Sequence, residues 1–113
     1  MACIFCKIIA KTAGSKVFFE DDDIIVFADI LPRAKVHLLI APKDHYERLV
    51  DLPEKFDTIV LKRARRIAEQ LGVGNNFRLQ LNNGAQSGQI VGHLHFHFMS
   101  NQNGVEIEYT EYK

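Results

Sequence analysis

His93-Leu94-His95-Phe96-His97-Phe98 alternates three of the chain's five histidines with large apolar residues. Side chains of a β-strand point in turn to opposite faces, so the spacing predicts a strand with His93, His95 and His97 on one face and Leu94, Phe96 and Phe98 on the other. The apolar face is expected in a core and the histidine face at a working surface. Neighbouring imidazoles on such a face lie roughly 6.5 to 7 Å apart, close enough to act on one phosphate or one metal. The plainer alternative is a set of histidines decorating the wet side of a half-buried strand. Just upstream, Gly84-Ala85-Gln86-Ser87-Gly88-Gln89 is a small polar loop whose glycines let backbone amides approach an anion. Followed by three histidines, the loop points to a phosphate seat beside a nucleophile or an acid/base group.

Around this motif the chain is ordinary in composition. Its 113 residues suit one domain, 1–113, with a core large enough to need no disulfide. Fourteen basic residues balance fourteen acidic ones, so no global charge favours nucleic acid, a membrane surface or an acidic partner. No apolar run approaches the roughly 20 residues that span a bilayer. Met1-Ala2-Cys3-Ile4-Phe5-Cys6-Lys7 lacks the basic leader and apolar stretch of a secretory signal, and a cytoplasmic protein is expected.

The periodicity predicts a short helix from Ile4 to Lys11, strands over Val17–Glu20 and Ile24–Ala28 in a hairpin, and a third strand over His37–Ala41. A helical turn is expected between Asp44 and Val50. The clearest helix runs from Leu52 to Leu71, with Asp51 and Glu54 at capping-box spacing, Pro53 in the first turn and Gly72 at its end. Its basic run, Lys62, Arg63, Arg65 and Arg66, reads as a solvated face. Phe77–Asn82 and Val105–Tyr109 alternate as further strands. Together these elements predict an α+β fold: a mainly antiparallel sheet of five or six strands packed against one long helix and a short N-terminal helix, with the histidines opposite the long helix.

The triad, the preceding Gly88-Gln89, Pro42-Lys43-Asp44-His45 and the opening Ile4-Phe5-Cys6-Lys7-Ile8-Ile9 resemble the histidine-triad (HIT) superfamily over nearly the whole chain. The sequence is most similar to its small nucleotide-binding branch, in the cysteine-containing bacterial form. That resemblance implies a homodimeric hydrolase of purine nucleoside phosphoramidates that works through a nucleotidyl-histidine intermediate on His95. His97 and His37 would contact the phosphate or the leaving group. Asp29 would take the ribose hydroxyls, Phe5, Phe27 and Ile30 the base, and Asn82, Ser87, Gly88 and Gln89 the phosphates. From the residues alone, Phe5 and Phe27 are equally what a core needs. Where the nucleotide-binding branch often carries a serine that assists the leaving group, this chain has Ile90.

Cys3 and Cys6 are the only cysteines, and their spacing alone leaves a redox pair, half of a zinc site or two independent thiols. The resemblance implies structural zinc, completed by His45 and His93 as in relatives that include the galactose-1-phosphate uridylyltransferases. The competing functional readings are a dinucleoside polyphosphate hydrolase or nucleotidyltransferase, and a nucleotide-binding module with little turnover.

Overall fold

Alternating burial on both faces of a single sheet organises the molecule. The computed structural model describes residues 3–113. In chain order its elements are α1 (Ile4–Ile9), β1 (Ser15–Glu20), β2 (Ile24–Ala28), β3 (Val36–Pro42), α2 (Lys55–Leu71), β4 (Arg78–Leu81), β5 (Phe96–Ser100) and β6 (Thr110–Tyr112). The strands lie in the order β4-β5-β3-β2-β1-β6, and every neighbouring pair is antiparallel. This is the α+β architecture that the sequence pattern predicts. Among the described residues, no helix is long and apolar enough to cross a membrane.

Strands β2 and β3 are apolar apart from His37 because each face of the sheet has its own cover. On one face, Ile24, Val26, Val36, Leu38, Ile40 and Phe98 meet Phe56, Val60, Ala64, Ile67 and Ala68 of α2. The intervening residues Ile25, Phe27, Leu39 and Ala41 meet Phe5 and Ile8 of α1. Pairing of Leu39 with His97, and of Leu38 with Phe98, fixes the register of β5 against β3. His97 therefore faces the α1 side while Phe98 enters the α2 core. A one-residue slip would exchange those two side chains.

Three local expectations are corrected. The α2 helix starts at Lys55, after a 3-10 turn at Leu49–Asp51, and no side chain caps it. Leu52 is extended (φ −77°, ψ 129°), the conformation that a following proline favours, so Pro53 separates Asp51 from the helix it was expected to cap. Val105, Ile107 and Tyr109 do pack against the core, but ladder bonding to β1 reaches only Thr110–Tyr112. Their alternation records one-sided burial without strand pairing. Finally, the triad strand begins at Phe96. His93 and His95 precede it, in a stretch where the Leu94 amide donates to the Tyr46 carbonyl at 2.6 Å.

At its far end α2 stops as expected. Gly72 adopts φ 70°, and its amide bonds back to the last turn. Lys62, Arg65 and Arg66 are exposed, and Arg63 lies 3.5 Å over the Phe19 ring.

Candidate active site and metal cluster

The α1 helix is only six residues long and leaves part of its sheet face uncovered. There a cavity of about 390 Å³ opens, with Phe5, Ile8, Phe27 and Leu39 as its apolar wall and His95 and His97 among its polar lining. This volume lies in the range of small-molecule sites, roughly 300 to 1,000 Å³. Phe5 meets Phe27 edge-on with centroids 5.2 Å apart, and meets His95 at 5.0 Å. Asp29, Ile30, Leu31 and Arg33 line the cavity from the loop after β2, and Asn82, Gly88, Ile90 and Val91 line it from the segment before the triad.

The hydrogen bonds assign a proton to one nitrogen of each buried ring. His95 Nδ1 lies 2.8 Å from the His93 carbonyl, which can only accept, so Nδ1 carries the proton and Nε2 keeps its lone pair. His37 Nδ1 accepts from the Arg33 amide at 3.0 Å, which puts the His37 proton on Nε2. That Nε2–H donates to His97 Nδ1 at 2.9 Å, so His97 carries its own proton on Nε2. Asp29 Oδ2 stands 3.3 Å from His37 Nε2, and Asp29 Oδ1 accepts from the Leu31 amide at 2.9 Å. The result is an unprotonated nitrogen on His95 next to an N–H donor on His97, with ring centroids 5.0 Å apart.

Burial keeps these rings neutral. It lowers the pKa of His95 and His37, with the nearby Asp29 charge opposing in both cases. His97 is lowered to about 4, by burial first and then by the neighbouring His95 and His37. A neutral imidazole with a free nitrogen is a competent nucleophile near pH 7.

A second cluster lies behind Phe5. Ligand atoms of Cys3, Cys6, His45 and His93 all lie within 4.8 Å of one another. His93 Nε2 donates to the Pro42 carbonyl at 2.8 Å, so its bare Nδ1 faces the thiols, 3.5 Å from Cys3 Sγ and 3.6 Å from Cys6 Sγ. His45 Nδ1 lies 3.4 Å from Cys6 Sγ. Burial, reinforced by Cys3, raises the Cys6 thiol pKa. Two sulfurs and two imidazole nitrogens, one of them oriented by a backbone carbonyl, form a donor set that suits a tetrahedral ion such as zinc.

Most of the residues singled out in the sequence converge here. Phe5, Phe27, Asp29, Ile30, Asn82, Gly88, His95 and His97 line one cavity, and His37 backs it. Gly88 has φ +93°, which only glycine adopts without strain. Two expected phosphate contacts lie elsewhere. Ser87 is exposed at the end of the 3-10 turn Ala85–Ser87, outside the cavity lining. Gln89 is buried, and its amide is spent on the protein: Oε1 accepts from the Gly84 amide at 2.8 Å and Arg48 Nη1 at 3.3 Å, while Nε2 donates to the carbonyls of Glu47 at 2.9 Å and Val91 at 3.0 Å. Its side chain sews the loop to the segment that carries His45. Arg33 and Tyr46 were not anticipated, because both act through main-chain groups that leave no trace in side-chain type. Ile90 was visible as an isoleucine in an otherwise polar glycine loop.

An antiparallel α+β sheet with histidines converging beside a glycine loop defines a histidine-triad protein. The HIT domain profile matches residues 10–104, and the chain belongs to that family. Among solved structures it is similar to a HIT family hydrolase from Legionella pneumophila, with a TM-score of 0.83, 35% identity and 90% and 95% of the two chains covered. It is also similar to a histidine triad nucleotide-binding protein from Candida albicans, with a TM-score of 0.84, 31% identity and 90% and 76% covered. A Zn-bound histidine triad family protein from Mycobacterium smegmatis matches with a TM-score of 0.78, 29% identity and 96% and 81% covered.

Proposed function

We propose that this protein hydrolyses purine nucleoside phosphoramidates through a covalent nucleotidyl-histidine on His95. One observation carries the reading: His95 spends its Nδ1 proton on the His93 carbonyl, which leaves Nε2 bare on a ring that lines the cavity next to His97. The kinship with a HIT family hydrolase and a histidine triad nucleotide-binding protein supports it. In the first step His95 Nε2 attacks the α-phosphorus. The bond from phosphorus to the amine nitrogen breaks with its electron pair on nitrogen, which takes a proton from solvent, while the Nε2–H of His97 donates a hydrogen bond to a phosphoryl oxygen. In the second step water attacks phosphorus and gives up a proton to solvent, and the pair of the phosphorus–His95 bond returns to Nε2. Asp29 would hold the ribose hydroxyls, and Phe5, Phe27 and Ile30 the purine. Asn82, beside Gly88, would face the phosphate, where its fixed dipole stabilises the charge that develops on oxygen; the Ser87, Gly88 and Gln89 amides already donate to the Gly84 and Ala85 carbonyls.

Zinc would be held by Cys3, Cys6, His45 and His93, a reading that the donor set and the Zn-bound relative support. When bound it would supply cross-linking, joining α1 to the segment that leads into β5. The chain's own groups do the rest: His93 presents its carbonyl to His95, and Phe5 packs on both rings. A cytoplasmic homodimer completes the proposal, and light scattering after size exclusion tests its oligomeric part.

The test of the chemistry is intact-protein mass spectrometry after rapid mixing with adenosine phosphoramidate. The expected result is an adenylyl adduct and AMP release that His95→Ala abolishes while AMP still binds. Bound nucleotide with neither adduct nor AMP would make the protein a nucleotide-binding module. Faster turnover of diadenosine polyphosphates would move the substrate to that class.

A further inference from the structure

Eight large hydrophobic side chains are exposed among the described residues, and four of them ring the mouth of the His95 cavity. These are Ile4 at 47% exposure, Leu31 at 77%, Ile30 at 85% and Ile90 at 95%. Single exposed apolar residues need no explanation, whereas a cluster around one opening marks a surface built to cover something apolar. Ile90 stands on a ridge. On one side lies the histidine cavity, and on the other a groove of about 320 Å³ lined by Cys3, His45, Glu47 and Gly92, the two hollows sharing Ile4, Ile90 and Val91.

The direction of the reaction says what crosses that ridge. Displacement at phosphorus places the attacking and departing atoms roughly in line. His95 is buried at the cavity floor, so the departing group points away from the floor and out through the mouth. It then meets Ile90 and Ile4, with no lysine lining either hollow. Arg33, on the loop after β2, is the one arginine or lysine in either lining, and the ridge of Ile4, Ile90 and Val91 itself offers a polyphosphate tail no cation and a hydrophilic amine no hydrogen-bonding side chain.

We infer that the ridge formed by Ile4, Ile90 and Val91 is a leaving-group subsite, and that the preferred substrates carry an apolar amine on phosphorus. The inference rests on the phosphoramidate reading above and narrows it. Ile90 is a specificity-determining residue that acts by burying apolar surface against the departing group. The bond changes are those already given, with the amine leaving in its neutral, protonated form.

The experiment compares two adenosine phosphoramidates, one bearing a hexyl chain on nitrogen and the other a hydroxyethoxyethyl chain of equal length, on the full chain and on Ile90→Ser. An apolar contact of this size is expected to favour the hexyl substrate in kcat/KM by about ten- to a hundredfold. Ile90→Ser is expected to cut that ratio by about fivefold or more, whatever it does to the absolute rates. The readout is a ratio between two substrates, so a general loss of folding or of catalysis cancels. Turnover of both substrates at equal kcat/KM overturns the subsite and leaves the hydrolase reading standing. A hexyl preference that Ile90→Ser leaves unchanged overturns the role of Ile90. No adduct and no turnover with either substrate, nor with unsubstituted adenosine phosphoramidate, overturns the hydrolase reading and the subsite with it.

Discussion

The two faces of the sheet are both buried by a helix, yet only one of them carries chemistry. On the first, α2 is 17 residues long and covers its face with apolar side chains from end to end. On the second, α1 is six residues long, and the histidines, the glycine loop and the cavity occupy what it leaves open. A complete apolar cover gives stability, while an incomplete one gives a walled recess in which polar groups stay dry. Helix length is one part of the difference; the other lies in the strands, where the α1 side carries His37 of β3 and His97 of β5 among its apolar residues.

Substitutions should separate the two faces cleanly. The largest effect belongs to His95→Ala, expected to lower turnover of adenosine phosphoramidate by at least about a thousandfold while shifting the midpoint of urea unfolding little. Phe98→Ala, its counterpart on the α2 face, is expected to cost about 3 to 5 kcal/mol in the same unfolding experiment. If His95→Ala destabilised as much as Phe98→Ala, the division of labour between the faces would be lost.

Removing metal probes the short helix itself. If zinc is held at a hundredfold excess over its Kd, chelation should take away about 3 kcal/mol of unfolding free energy. Hydrogen exchange should then rise in α1 and in the Asp44–Arg48 segment, with α2 unaffected. Gln89→Glu deletes the two donations to the Glu47 and Val91 carbonyls, at about 1 to 3 kcal/mol. It should loosen loop 84–92 even without nucleotide, as read by hydrogen exchange. A side chain that served only to touch phosphate would leave the ligand-free loop unchanged.

The most gradual effect is a slope with pH. His37 and His97 have pKa values below the ordinary histidine value of about 6.5. The unfolded chain therefore binds more protons than the folded one as pH falls below neutrality. Stability contributed by their neutral state is full above about 6.5, declines with acid, and for His97 levels off near its folded value of about 4. Unfolding midpoints from pH 7.5 to pH 4 should trace that decline, and His37→Gln should flatten it.

Much of this was legible in the sequence, for identifiable reasons. Alternation in His93 to Phe98 foretold which side of the sheet would hold His97 and which would hold Phe98. The recurrence of Phe56, Val60, Ile67 and Ala68 at helical spacing foretold the face of α2, and Gly72 its end. The triad, Gly88-Gln89, the segment Pro42-Lys43-Asp44-His45 and the opening Ile4-Phe5-Cys6-Lys7-Ile8-Ile9 led to the family, and the family resemblance gave His45 and Asp29 their expected roles, which spacing alone could not reach. What stayed hidden depended on main-chain direction. Leu52 turns extended before Pro53, and His93 and His95 bond away from the ladder. Gln89 differs again: a glutamine in a glycine loop looks like a ligand-binding group, and only the fold reveals that four protein atoms already occupy its amide.

His93 illustrates a kind of mutational invisibility. Its ring faces the thiols, but its hold on His95 runs through its carbonyl, just as the Arg33 amide sets the tautomer of His37. Those two peptide groups decide where the protons sit, and every possible residue at positions 93 and 33 except proline at 33 supplies the same group. An alanine scan of the pocket would therefore record these positions as their side chains alone, and the instructions that prepare His95 and His97 would pass through it unseen. Backbone ester substitution at Arg33, which replaces the donating N–H with oxygen, is the kind of change that makes such a contribution measurable.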